Sequence, residues 1–171
     1  WQSGALVGQY NAGNITGCVV EDCEINGLAA VGGLVGILNE TAGERKIENC
    51  TMKNNVITQT GSFGGDYDNM FGVAVGLINI DNSTVYFNNC TMKNNTMKTQ
   101  QSAVLYGENS DSTTVIINGA TAVRNAAELQ AALAAGGNVV LVADIQATNV
   151  VTLAEISGVT ATLDLNGHNI D

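Results

Sequence analysis

Apolar and polar positions recur in the same order several times along this chain. IENCTMKNN (47–55) and FNNCTMKNN (87–95) share seven consecutive letters, NCTMKNN, forty positions apart. Aligning the four letters that end at the Cys gives two more copies, ITGC at 15–18 and the degenerate INGA at 117–120. The anchors Cys18, Cys50, Cys90 and Ala120 are 32, 40 and 30 residues apart. A second motif precedes each anchor: GALVG (4–8), GGLVG (32–36), GVAVG (72–76) and SAVLY (102–106). Three positions beyond each stands an Asn: Asn11, Asn39, Asn79 and Asn109.

The anchor position is small and apolar, which suits an inward face. Val20, Met52, Met92 and Ala122, two residues on, are apolar too and share that face of a strand. Val19, Thr51, Thr91 and Thr121 lie between them and point outward, as do Glu21, Lys53, Lys93 and Val123. Ile15, Ile47, Phe87 and Ile117 break this alternation, being apolar three positions before the anchor. A bend in between removes the conflict, and the residue before the anchor is Gly17, Asn49, Asn89 or Gly119, types that accept a left-handed backbone. The same logic places corners at Asn11/Asn39/Asn79/Asn109 and at Cys23/Asn55/Asn95/Asn125, with Ile25, Ile57 and Met97 turning inward again.

Three corners imply three short strands per copy. A unit of about 30 residues that cannot bury its own apolar side, but can when stacked on its neighbours, predicts an all-β parallel β-helix. Like residues then lie on like, about 4.8 Å apart. An antiparallel sandwich ranks second, because its hairpin signals would come every 8–12 residues.

The pattern changes after Val123. NAAELQAALAAGG predicts a short helix near 126–135, with Asn125 as N-cap, Glu128 completing a capping box and Gly136 at the C-terminal end. Leu129, Ala132 and Leu133 form its apolar stripe. VVLVADI (139–145) reads as a buried strand, and 150–170 as two more around a Gly turn. The expected organisation is β-helix copies over 1–121, then a capping helix and further strands over 122–171.

The GGLVG run, followed by a polar turn and an I-x-N-like strand, resembles the GLUG motif. Gly32 and Gly36 bound the closest copy. That resemblance implies a secreted or surface-attached bacterial protein, often adhesin-like. The segment LDLNGH (163–168) with Ile170 resembles the opening segment of pectin-lyase-like proteins, which implies a right-handed β-helix whose short helix caps it. That fold hosts lyases, hydrolases and many proteins without catalysis. Such a segment ordinarily comes first, whereas here it follows the repeats.

Composition narrows the function. The formal net charge is −10 with six basic residues, which argues against nucleic-acid binding, since that needs clustered Lys and Arg. No apolar run is long enough to insert in a membrane. The chain opens on Trp1 without a Met, and is expected to be a piece of a longer or processed protein.

Chemistry-bearing residues are few. Cys18, Cys50 and Cys90 form an inner ladder and are expected as free, core-filling thiols. Stacked Cβ atoms stay wider apart than a disulfide prefers. Asn55 and Asn95 make a structural ladder, and His168, the single His, is expected to hold a structural hydrogen bond. The third copy carries an eight-residue insertion around GGDYDNM (64–70). Loops on rigid scaffolds often carry function. Phe63, Asp66, Tyr67, Asp68 and Asn69 are its candidate ligand-binding residues, the aromatics by stacking on sugar rings. Asp66, Asp68 and Asn69 are a weak calcium set, without the full EF-hand spacing; no other metal or cofactor is expected. Arg45 and Arg124 lack a neighbouring Asp cluster, so no polysaccharide-cleaving centre is expected.

These readings converge on a non-catalytic, extracellular structural or adhesive element, able to self-associate end to end into a fibre because open parallel edges template pairing. The alternative is a carbohydrate-binding or polysaccharide-degrading protein using the 63–71 loop.

Overall fold

The computed structural model describes residues 1–39, 42–62, 64–99, 104–110, 112–146 and 159–171. The chain is mostly β, with parallel sheets and one α-helix. It divides into two compact units, Trp1–Thr113 and Thr114–Asp171.

In the first unit, three successive copies pair in parallel, strand for strand. The second copy contributes Val31–Gly32, Val35–Asn39, Glu44–Glu48, Thr51–Lys53 and Val56–Gln59. Each lies between its counterparts from the first and third copies in five separate sheets. The register follows the aligned letters: Val20 with Met52 and Met52 with Met92, Ile15 with Ile47 and Ile47 with Phe87, Ile25 with Ile57 and Ile57 with Met97. Ile47, Met52, Ile57, Phe71, Val75 and Phe87 are buried along these columns.

Each of these three copies has five strands, not the three expected. The additional breaks fall inside the glycine motif and just ahead of it. The chain bends at Gly33 and Leu34, between Val31–Gly32 and Val35–Asn39. The glycines permit this because backbone crowds them on several sides. A Cβ on Gly32 would sit 2.1 Å from the Val35 carbonyl oxygen and 2.7 Å from the Gly76 nitrogen. A Cβ on Gly76 would sit 2.4 Å from the Val31 nitrogen. The motif therefore records backbone contact between layers rather than a continuous strand.

One expected corner is found where predicted: Gly17, Asn49 and Asn89 have φ of 67°, 54° and 50°. Another lies one residue earlier than expected. Asp22, Asn54 and Asn94 adopt φ of 54–55°, and the Cys23/Asn55/Asn95 position comes just after the turn. The Asn39 and Asn79 position ends its strands without a positive φ.

The fourth copy departs from the sequence alignment twice. Tyr106 lies opposite Val75 and Asn109 opposite Ile78, so the matching letters are AVLYG, with Gly107 against Gly76, and not SAVLY. Ala103 itself lies outside the described residues. In the second unit, INGA forms a tight hairpin. Thr114–Ile117 and Ala120–Val123 pair antiparallel, with Ile117 opposite Ala120, through Asn118 and Gly119 at φ 49° and 82°. Asn-Gly is the residue pair a tight hairpin with two positive φ values demands.

The helix spans Ala126–Ala135, and Asn125 Oδ1 accepts the Glu128 N–H at 2.9 Å. The Glu128 carboxylate reaches back to the Arg124 N–H at 2.8 Å. Leu129 packs with Val123, Val139, Leu141 and Ile145, and Ala132 and Leu133 lie against that cluster. Gly137–Leu141 pairs in parallel with Ala120–Val123 on one side and Ala161–Asp164 on the other. Residues 147–158, where part of a further strand was expected, lie outside the described residues.

Candidate functional site

Eleven residues join Gln59 to Phe71, where three join Gly27 to Val31 at the same place in the preceding layer. This insertion contains a 3-10 turn, Gly65–Asn69. Its carboxylates face different ways. Asp68 is buried, and its Oδ1 accepts the Gln59 amide at 2.8 Å. Its Oδ2 accepts the Ser62 hydroxyl and the Gly64 N–H. Asp68 thus fastens the insertion to the end of the strand Val56–Gln59. Asp66 and Asn69 are exposed, so the calcium set is divided between an engaged inner carboxylate and two outer groups. Phe63 lies outside the described residues. Among the described residues no three His, Cys, Asp or Glu side chains gather as a metal site.

Tyr67 is half-exposed, and its ring meets Trp1 edge to face with centroids 5.7 Å apart. The insertion belongs to the third layer and Trp1 to the first, so this contact reaches across the second. Beside the insertion, Gln59, Gly61, Ser62, Lys98 and Thr99 line a shallow polar groove of about 410 Å³. Sequence reasoning missed Trp1, Gln59, Ser62 and Lys98. Gln59 and Ser62 are unremarkable polar residues close to Asp68 in the chain, whereas Trp1 meets Tyr67, and Lys98 the groove, from distant parts of the chain.

All four cysteines are free. Cys50 is fully buried between Cys18 and Cys90, which are partly covered. Burial pushes the Cys50 and Cys90 thiols up from their ordinary range, so both are held as neutral thiols. The Cys50 Sγ lies 3.3 Å from the Glu48 carbonyl oxygen, which suits a thiol donor. On the outer face Lys53 ion-pairs with Glu21, and the hydrogen bond to Glu21 raises the Lys53 ammonium above its usual range. Lys93 lies opposite Lys53 on the other side.

In the second unit, His168 Nδ1 lies 3.3 Å from Asp144 Oδ1, which also accepts the Asn169 N–H at 2.9 Å. That N–H, followed by His168, holds the Asp144 carboxyl below its usual range. The pair secures the turn leading to the Ile145–Ile170 bridge.

No family model, curated protein or solved structure matches the chain. Among the described residues no helix is long and apolar enough to cross a membrane.

Proposed function

We propose that the chain is a right-handed parallel β-helix of GLUG-like copies, with pectin-lyase-like character in its second unit, and that it serves as a non-catalytic structural or adhesive element on a bacterial surface. The observation that carries this reading is where the repeated residues go. The columns Cys18–Cys50–Cys90, Val20–Met52 and Asn55–Asn95 fill and fasten the stacked copies, and what recurs from copy to copy is packing and corner residues. Repetition of this kind builds a frame.

The reading extends to copies joining end to end. Leu6 and Val19 are exposed in the first layer, and Leu163, Leu165 and Ile170 in and beside the strand Ala161–Asp164. Joining through such unlike surfaces is heterologous and open-ended. Negative-stain electron microscopy over a concentration series tests it, with unbranched fibres as the expected result. Discrete particles at every concentration remove end-to-end joining.

A second reading, glycan binding by the 63–71 loop, is favoured by one observation: the exposed Trp1–Tyr67 pair beside the exposed Asp66. Aromatic faces stack on sugar rings and an adjacent carboxylate accepts their hydroxyls. A glycan array with the wild type, Tyr67→Ala and Asp66→Ala tests it. Binding that survives both substitutions removes the loop from the reading.

A further inference from the structure

We propose that the outer edge of the third layer, formed by Thr91–Lys93 and Thr96–Lys98, is a docking surface for an extended acidic peptide, which adds there as a further parallel strand. The proposal holds whether or not copies join end to end.

Among the described residues both strands are the last in their sheets and pair on one side only. Thr91, Met92 and Lys93 are all exposed, and Met92 keeps 43% of its surface exposed although its column neighbour Met52 has none. The edge thus offers unpaired main-chain groups beside an apolar side chain. Those are the elements of strand addition, in which main-chain hydrogen bonds supply affinity and side-chain positions supply selectivity.

Charge identifies the occupant. The chain carries −10 overall, yet this edge holds two of its lysines, Lys93 and Lys98. Neither has an ion-pair partner among the described residues, and Lys93 has the like-charged Lys53 as its column neighbour. A carboxylate on the open side would offset that repulsion.

The molecule contains an acidic strand against the same letters, on the opposite edge of the second layer. Residues 19–26 lie along TMKNN of the second layer, with Val20 opposite Met52 and Glu21 opposite Lys53. Glu21 pairs with Lys53, and Asp22 Oδ1 accepts the Asn54 amide at 3.0 Å. Ile25 lies opposite Ile57. The third layer repeats TMKNN at 91–95, and its open side is, among the described residues, the edge opposite to the one the acidic strand takes on the second layer. The Glu–Lys and Asp–Asn side-chain pairings are what the two cases share. Lysines on an edge also guard against indiscriminate pairing; here the same charges select an acidic strand over others.

The test uses the full chain and a fluorescein-labelled peptide of residues 19–26 carrying Cys23→Ser. A control peptide carries Glu21→Lys, Asp22→Asn and Glu24→Lys as well. Fluorescence anisotropy should show saturable binding of the acidic peptide, weakening as ionic strength rises, and at least tenfold weaker binding of the control. Lys93→Glu with Lys98→Glu should reverse that preference, whereas Lys46→Glu, on a different sheet, should leave it unchanged. Hydrogen exchange should report protection of Thr91–Lys93 and Thr96–Lys98 when the acidic peptide binds. Equal binding of both peptides, absence of saturable binding, protection confined to other strands, or an equal loss in Lys46→Glu overturns the proposal. Concentration-dependent growth of the chain itself, abolished by the double lysine variant, also overturns it by making a second copy the occupant.

Discussion

Asn55 donates both its backbone N–H and its side-chain amide to one atom, Asn95 Oδ1, at 3.1 Å each. The Asn55 amide also donates to the Val20 carbonyl at 2.9 Å, and its Oδ1 accepts the Cys23 N–H at 3.0 Å. Asn95 repeats the inward half of this scheme, donating to the Met52 carbonyl at 2.8 Å. Each side chain is a splint across a corner where the strand ladder is interrupted.

Removing the buried splint should therefore cost more than removing the partly exposed one. Asn55→Ala leaves the Cys23 N–H and the Val20 carbonyl without this partner, and a buried unsatisfied group costs about 1–3 kcal/mol. We expect a loss of about 2 kcal/mol or more by urea unfolding, and a smaller loss for Asn95→Ala. A change under about 0.5 kcal/mol at Asn55 would mean that the corner is held by something else.

The glycines divide into two kinds, which substitution should separate. Gly76→Ala forces a Cβ to within 2.4 Å of the Val31 nitrogen and 2.7 Å of the Gly36 oxygen. Backbone on both sides cannot yield, so the variant should lose at least the roughly 1–3 kcal/mol of an overpacked core. At Gly17 nothing lies within 4 Å of the added atom, but φ is 67°. Gly17→Ala should cost about 1–2 kcal/mol from left-handed strain alone. Gly17→Asn should recover most of that, because Asn49 and Asn89 hold the same corner at φ 54° and 50°. Equal melting temperatures for the two Gly17 variants would remove the corner argument.

Column residues were readable in the sequence because stacking repeats them. Ile47 with Phe87 and Met52 with Met92 announce themselves by type and spacing, as the helix does by Asn125 and Glu128. Strand number was not readable, because the extra bend sits inside GGLVG, where Leu34 and Val35 are both buried and the apolar run masks the break. INGA reads as a further copy by its likeness to ITGC; the Asn-Gly pair that makes the hairpin is the better guide there. In the insertion, Asp68 and Tyr67 stood out by type. Their partners did not: Gln59 and Ser62 are ordinary polar residues a few positions away, and the Trp1 contact is far off in the chain and leaves no period in it.

Asp68 should act on the insertion and not on the frame. Asp68→Ala leaves Gln59, Ser62 and the Gly64 N–H without their shared acceptor. Amide exchange over 64–70 should quicken at least tenfold, while the strands Thr51–Lys53 and Thr84–Asn88 keep their protection. Asp68→Asn should fall between, since one amide oxygen still accepts but the amide nitrogen opposes the donors. Uniform loss of protection across the first unit would make Asp68 a residue of the whole frame. If glycan binding is found, its weakening in Asp68→Ala would then trace to a loosened loop rather than a lost contact.

Asp144 sets an acid limit on the end of the second unit. Its carboxyl is held below the ordinary range, first by the Asn169 N–H and then by His168. A depressed carboxylate pKa stabilises the fold above its unfolded value, about 3.9. That contribution disappears as pH falls through the lower folded value. The Ile145–Ile170 bridge, flanked by Asn169 and Asp171 hydrogen bonds to Ile145, should therefore loosen in acid below the usual Asp range and stay closed at neutral pH. Following the Asp144 carboxyl carbon and the Asn169 amide by NMR should give one shared midpoint below that of an ordinary Asp. In Asp144→Asn the Asn169 amide should lose its pH dependence in that window and exchange faster at pH 7. A midpoint at or above the ordinary Asp range, or an Asn169 amide indifferent to it, would show that the carboxylate does not hold this turn.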